Sequence, residues 1–558
     1  MTKATKSRLI AIGLDGATFD LVRPWVDQGK LPTFARLLQE GTSGVLQSVI
    51  PSLTMPAWSS FLTGLQPGHH GIYAFMRRKP DSYELTPFNG SYRKVTDIST
   101  VLNQQGRRVA LVNVPSTYPA KPFDGFVITG LETPGRDSQF TYPESLKGEL
   151  ISRFDYEIER PEKYTPGQEK NFEAAVNRVE SKRLDATLWL MDCDDWDFFA
   201  VVFRGTDVLG HAFWRFMDPS HPAHERQYVE TFGNAILRHY QKMDQAIASI
   251  EAKLSPLDTL ILMSDHGFGP MHRDVYSGNL LIENGLLCLK KTWKSNLRSM
   301  LVDLGLSPRN ILNFLGKLRL ENTIRRLVPQ NARTAVNARM LMQTNVDWAH
   351  TKAYPLGGGG IICINLKGRE PMGIVEPGTE YRRVCDDIEG VLRKLRDPAT
   401  GQPVVKRVRR KEELYGDNHV ADMPDLFIEW TNDAYTDMGG IGYARGLFSE
   451  PLRGRSGGHT ERGLFLAKGP DIKKGHIIEN ARLIDLAPTM MHLLGAAVPR
   501  GLDGTVLLDI FKDQRKSEHV DYGVDNVLAA PQDGVHVQTF TNEEETIIEK
   551  RLKDLGYL

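Results

Sequence analysis

Short apolar runs that stop on acidic residues recur along the chain. Arg8 to Leu14 ends at Asp15-Gly16, Asp197 to Phe203 opens into Arg204-Gly205-Thr206-Asp207, and Thr259 to Met263 ends in Ser264-Asp265-His266-Gly267. Runs apolar at nearly every position are expected of strands covered on both faces, the usual setting of a parallel sheet between helices. In open α/β sheets ligands collect outside the carboxyl ends of such strands. Asp15, Asp207 and Asp265 are therefore expected to converge on one crevice.

Helical patterning supplies further side chains. Pro56 suits a first turn and Gly64 an end, with Ala57, Trp58, Phe61 and Leu62 as the apolar stripe between them. A helix starting near Thr54 would aim free backbone N–H groups and the positive end of its dipole at whatever that hydroxyl meets, and a phosphoryl group is the natural ligand there. Asp207 and His211 are four apart, so a helix starting at this point puts both on one face. Adjacent Asp265 and His266 can face inward together only in a loop, which Gly267 and Gly269 permit. His459 follows Gly457-Gly458 and precedes the strand-like Leu464 to Ala467, and spacing alone ties it least to the others.

The organisation expected is a catalytic core over residues 1–285, a basic helical cap insertion at 286–345, a second part of the core with a substrate-facing insert at 346–511, and a tail at 512–558. The cap segment carries Lys290, Arg298, Lys317, Arg325 and Arg339 among other bases, interleaved with Leu301, Leu304, Ile311 and Leu315 at helical spacing. It reads as a solvated basic face over the crevice, with contact to an anionic membrane surface as the alternative. Strand-like segments flank a helix-like run from Tyr381 to Leu395, and Glu543 to Leu558 reads as a short charged helix. Gly357 to Gly360 lacks the Lys-Ser or Lys-Thr of a phosphate-binding loop and reads as a turn before Ile361 to Asn365. Gly454-Arg455-Ser456-Gly457-Gly458 lacks the strand before and helix after that a serine-esterase elbow needs, and reads as a loop delivering His459.

Composition narrows the class. With 41% apolar residues in 558, a large core can be filled. The 69 basic and 69 acidic residues cancel, so no global field favours nucleic acid, and no nucleic-acid partner is indicated. Cys193, Cys288, Cys363 and Cys385 form no close pair, which suits a reducing compartment. The apolar run after the basic N-terminus is too short for a signal peptide, and no run approaches the roughly twenty residues of a membrane span, so a cytoplasmic location is expected.

Six blocks in order, GLDGAT, PSLTMPAWSSFLTGLQPGHHGI, GTDVLGH, SDHGFGP, GGHTERGLF and IDLAPTMMHLLG, resemble the alkaline phosphatase superfamily, most closely its type I phosphodiesterase and nucleotide pyrophosphatase branch together with predicted phosphohydrolases or phosphomutases. The resemblance spans about Arg8 to Gly504. It implies an α/β three-layer sandwich with a largely parallel central sheet. It also implies that Asp207, His211 and His459 hold one metal ion and Asp15, Asp265 and His266 a second, with Thr54 touching the latter as nucleophile. In-line attack, a phospho-threonine intermediate and hydrolysis by a metal-activated water follow from it, with two divalent cations, zinc or manganese, about 3.5–4 Å apart.

Departures refine the reading. The sulfatase nucleophile and its arginine are missing at Thr54 to Trp58, and the asparagine that nucleotide pyrophosphatases carry after His-Gly-Ile is replaced by Tyr73-Ala74-Phe75. Asn113, Arg204 and Arg273 are candidates to replace that contact, and Asn365 and Arg369 are candidate substrate contacts from the insert. The expected function is hydrolysis of a small phosphoester, leaning toward phosphodiesters. A phosphomonoesterase, phosphonate hydrolase or phosphomutase is the alternative within the superfamily, and a non-catalytic metal-binding scaffold the alternative outside it. Oligomeric state is left open.

Overall fold

The computed structural model of the chain describes residues 7–160, 162–193, 195–290, 345–416, 420–432, 434–441, 446–451, 454–513, 520, 521, 523 and 539–555. Nearly all of the basic segment expected to form a cap or meet a membrane, 291–344, lies outside the described residues.

A ten-stranded sheet runs through the body. Its strand order is His476–Ile477, Thr42–Gln47, Arg462–Lys468, Thr259–Met263, Leu9–Leu14, Phe198–Phe203, Val109–Val114, Gly125–Thr129 and Thr141–Tyr142, with Ala481–Arg482 also paired to Thr42–Gln47. The three acid-terminated runs are the adjacent parallel strands at its centre, with Leu9–Leu14 between the other two. Only Arg462–Lys468 and Thr141–Tyr142 run against the rest.

Alternation along each strand feeds two cores. Ile10, Ile12 and Leu14 join one apolar cluster and Leu9 and Ala11 the other. Helices Glu169–Cys193, Gly205–Met217 and Ala235–Glu251 cover the first face, and helices Thr54–Thr63, Ile98–Gln104 and Leu486–Leu493 the second. The result is a three-layer α/β sandwich with a largely parallel sheet. Helix Thr54–Thr63 differs from the expected one-sided stripe: every one of its residues is buried.

Residues beyond 345 build a smaller antiparallel sheet, in the order Ala353–Pro355, Ile361–Ile364, Leu426–Trp430 and Val405–Arg410. Helix Thr379–Arg393 packs Val384, Cys385, Ile388 and Leu392 into a third apolar cluster that this sheet shares with Tyr83, Val275 and Leu280 of the body. The C-terminal helix Asn542–Leu555 docks on the body through buried Ile548 and Leu552. Arg551 donates to the carbonyls of Leu131, Thr133 and Pro134. Among the described residues no helix is long and apolar enough to cross a membrane.

Candidate active site

The central strands deliver their acids side by side because their register aligns their ends. Leu14 lies opposite Phe203 and Gly13 opposite Met263, and the Asp15 N–H donates to the Phe203 carbonyl at 2.9 Å. The turn after Asp15 is tight: Gly16 has φ of +68°, and a Cβ there would lie 3.3 Å from the Asp207 backbone. Its N–H donates to Asp265 Oδ1 at 3.2 Å, and Ser264 Oγ donates to the Ala17 carbonyl at 2.7 Å, tying the first and third loops together.

Helix Gly205–Met217 carries both Asp207 and His211, and His211 Nε2 lies 3.3 Å from Asp207 Oδ1. His459 arrives by a route that spacing does not reveal. Strand Gly457–Thr460 pairs antiparallel with Gly267–Pro270, the segment directly after His266, so that His459 lies opposite Phe268. Gly457 permits this approach, since a Cβ there would fall 2.6 Å from the Gly210 carbonyl oxygen. The imidazoles of His266 and His459 stack with ring centroids 3.7 Å apart.

Ring orientation is fixed from behind. The Nδ1 of His211 pairs with the Gly457 carbonyl at 2.8 Å, that of His459 with Ser52 at 3.1 Å and that of His266 with Gly267 at 3.0 Å. A carbonyl only accepts, so each Nδ1 holds the proton and each Nε2 presents a lone pair. Those lone pairs crowd together: His211 Nε2 and His459 Nε2 are 3.1 Å apart, and His459 Nε2 is 3.0 Å from Asp207 Oδ1.

Ligand atoms of Asp207, His211 and His459 lie within 4.8 Å of one another, as do those of Asp15, Asp207 and His266. The first trio is the one implied by the sequence resemblance. The second differs from it, because Asp207 reaches both groups and Asp265 stands beside the second, its Oδ2 3.3 Å from His266 Nε2.

The electrostatics are those of a site built for positive charge. Burial and the Asp207 charge push the Asp15 carboxyl up to about 8 against the opposing pull of Arg204, and burial with the Asp15 charge raises Asp265 well above its ordinary value. Burial also raises Asp207, but the electrostatic pull of His211 and the closeness of the His211 and His459 rings outweigh it and hold the carboxyl well below the usual range. Burial, reinforced by His459, depresses His266 strongly, and burial depresses His459. Asp15 Oδ1 and Asp265 Oδ2 are buried without a hydrogen-bond partner among the described residues. Orphaned carboxylate oxygens facing imidazole lone pairs, with no thiolate, suit hard or borderline divalent cations.

Thr54 is the first residue of helix Thr54–Thr63, with Leu53 in the capping position. Its hydroxyl is fully buried and 3.5 Å from His266 Nε2. As first-turn residues, Thr54 and Met55 carry N–H groups without intrahelical acceptors.

The proposed substrate contacts separate. Arg204 is buried beside the cluster, donating to Asp15 Oδ2 at 3.2 Å and to Glu159 Oε1 at 2.6 Å, which makes it a brace for Asp15. Asn113 is fully buried with φ of +60° and accepts from the Tyr156 hydroxyl. Arg273 is paired with Asp397 at 2.8 Å. Asn365 is buried inside the smaller unit, its carboxamide donating to the carbonyls of Trp348, Thr351 and Met372 and accepting from Tyr83. Arg369 is held there by Asp425 and Glu370. The polar groups of Asn365 and Arg369 are thus engaged within that unit.

A cavity of about 390 Å³ opens beside the cluster, with His211 and His459 in its wall and strand Leu426–Trp430 across from them. Sequence reasoning missed its polar lining, chiefly Lys406, Arg455 and Arg462, because nothing in their spacing distinguishes them from ordinary surface bases.

A mostly parallel sheet between helical layers, with acids and imidazoles gathered at its carboxyl edge, is an alkaline-phosphatase-like architecture. The family model for type I phosphodiesterase / nucleotide pyrophosphatase matches residues 9–451, and the chain belongs to that family of phosphoester hydrolases. Similar solved structures include phosphonoacetate hydrolase from Sinorhizobium meliloti 1021 in complex with phosphonoacetate, at 14% identity and a TM-score of 0.53, covering 88% of this chain and 96% of that one. Murine ectonucleotide pyrophosphatase / phosphodiesterase 5 is also similar, at 14% identity and a TM-score of 0.50, covering 91% of this chain and 100% of that one. At these identities the likeness is one of fold. No curated protein sequence matches the chain.

Proposed function

We propose that the chain is a two-metal phosphoester hydrolase in which Thr54 is the nucleophile and phosphodiesters are the preferred substrates. The observation that carries this reading is the placing of the buried Thr54 hydroxyl, at a helix N-terminus and 3.5 Å from His266 Nε2, within a cluster of three carboxylates and three outward-locked imidazoles.

Asp207, His211 and His459 would hold one divalent cation and Asp15, Asp265 and His266 the other, with Asp207 close to both; zinc and manganese suit the donors equally. Bound there, the cations would supply Lewis acidity and lower the proton affinity of nearby oxygens. The chain's own groups do the rest. The N–H groups of Thr54 and Met55 orient phosphoryl oxygens, and Thr54 Oγ bonds to phosphorus as the ester oxygen departs on the opposite side, leaving a phospho-threonine that water then cleaves. The phosphonate-hydrolase alternative draws on the fold likeness to phosphonoacetate hydrolase. A cytoplasmic location fits four cysteines dispersed along the sequence, two of them buried.

The test is hydrolysis of a nitrophenyl phosphate monoester and the matching alkyl nitrophenyl diester by protein supplied with zinc or manganese, beside Thr54→Ala. Faster diester cleavage that disappears in the variant is the expected result. Monoester preference would remove the diesterase assignment, and an active Thr54→Ala would remove the nucleophile.

A further inference from the structure

Inside the cavity beside the cluster, Arg455 is a cation in an unusual setting. Its Nη1 faces the sulfur of Met438, its Nη2 lies 3.9 Å from that of Met271, and its buried Nε has no hydrogen-bond partner. The residue after it, Ser456, is fastened to the His211 carbonyl through both its N–H and its hydroxyl, so Arg455 is anchored one residue from the wall of the metal cluster.

The acids around the same cavity are already engaged. Asp437 accepts from the Ser277 N–H and hydroxyl and from the Gly439 N–H. Glu429 is paired with Arg409 at 2.6 Å, and Glu461 accepts from Gln47 at 2.9 Å. Two more bases, Lys406 and Arg462, stand exposed at the rim. Among the described residues none of these three bases forms an ion pair with a carboxylate, although most arginines elsewhere in the body do. A half-buried guanidinium whose neighbours are thioethers leaves strong donors unsatisfied, which is costly unless an anion completes it. A planar fork of N–H groups matches an oxyanion, and two rim cations would draw one inward.

Building on the phosphohydrolase reading, we infer that this cavity receives the arm of the substrate beyond the scissile bond and that Arg455 grips a second oxyanion on that arm. The substrates so defined are phosphoesters or phosphonates with an additional negative group, a carboxylate or a phosphate, a few bonds from the reacting phosphorus. Lys406 and Arg462 steer the approach, and Arg455 sets the choice.

Binding, independent of turnover, provides the test. Calorimetry on the metal-loaded protein would compare ethylphosphonate, 2-carboxyethylphosphonate and 2-sulfoethylphosphonate, the last presenting a tetrahedral oxyanion in place of a phosphate. The expected result is about 10- to 100-fold tighter binding of at least one acidic ligand than of ethylphosphonate, as a charge-assisted pair provides. The larger of the two acidic preferences identifies the carboxylate or the phosphate-like arm. Arg455→Gln should bring the ratio close to one without weakening ethylphosphonate, and Arg455→Lys should retain part of it. Equal affinity for all three ligands, or a preference that survives Arg455→Gln, overturns the inference. Nitrophenyl ester turnover by the same preparation separates the two readings: cleavage without acidic preference leaves the hydrolase standing and removes the Arg455 role, acidic preference without cleavage does the reverse, and failure to bind any phosphonate removes both.

Discussion

Arg204 Nε lies 3.2 Å from Asp15 Oδ2 at a depth where neither side chain meets solvent. The same guanidinium reaches Glu159, which is also nearly buried. Its charge offsets part of the repulsion among the cluster's carboxylates and holds Asp15 in place.

Removing that brace leaves Asp15 buried without its arginine and Glu159 with only the longer pair to Arg160, at 4.0 Å. Arg204→Met is expected to cost about 3–5 kcal/mol of stability, the usual penalty for breaking a buried pair from one side. Urea unfolding of the metal-free protein measures it, and a loss below about 1 kcal/mol would mean the ion pair is relaxed or hydrated.

Asp207 stands between the two ligand trios. Asp207→Asn should therefore weaken both metal equivalents, whereas His211→Ala should lose one and Thr54→Ala neither. Metal content after dialysis, measured by elemental analysis, distinguishes these patterns. A single equivalent lost in Asp207→Asn would assign that carboxylate to one ion alone.

The His69 and Asp503 pair lies outside the site, with Nδ1 and Oδ2 2.6 Å apart. The hydrogen bond to Asp503 raises the His69 proton affinity in the folded state. A raised folded pKa means the stabilisation is complete below the unfolded value near 6.5 and fades as pH climbs through the folded one. Asp503→Asn keeps an acceptor for the Gln66 N–H but removes the charge. It should cost about 0.5–1 kcal/mol at pH 5.5, given the partial exposure of both groups, and nearly nothing by pH 9. Thermal melts across that range check the sign, and a cost that grows with pH would contradict it.

Arg551 fastens the C-terminal helix to the carbonyls of residues 131, 133 and 134. Arg551→Ala should loosen that helix by about 1–3 kcal/mol, since three buried acceptors lose their donor. Hydrogen exchange resolved by mass spectrometry should then show faster exchange over 542–555 while the central strands keep their protection.

The strand-end acids were legible because a buried parallel strand has few residues with which to announce its end, and an aspartate followed by glycine or histidine is one of them. Asp207 and His211 were legible from helical geometry alone. His459 was not, because its position depends on the pairing of Gly457–Thr460 with Gly267–Pro270, a contact between segments about 190 residues apart. Arg369 and Arg455 show a second limit. One is neutralised by Asp425 and the other, among the described residues, meets sulfur, yet the two look alike as letters in a string. The pairing of charges is a property of tertiary contact, and spacing does not encode it.

Strand Arg462–Lys468 is wedged antiparallel between Thr42–Gln47 and Thr259–Met263. During synthesis the two neighbours emerge long before the piece that joins them, and each waits with a row of unpaired amides and carbonyls facing a gap. Thr259–Met263 is largely apolar on its faces and both strands are open at that edge, the combination that recruits strands from other molecules. A nascent or proteolysed chain that stops short of Arg462 would thus be sticky inside its sheet, beside the central strands, and the yield of intact protein should depend on how long that gap is shielded by chaperones.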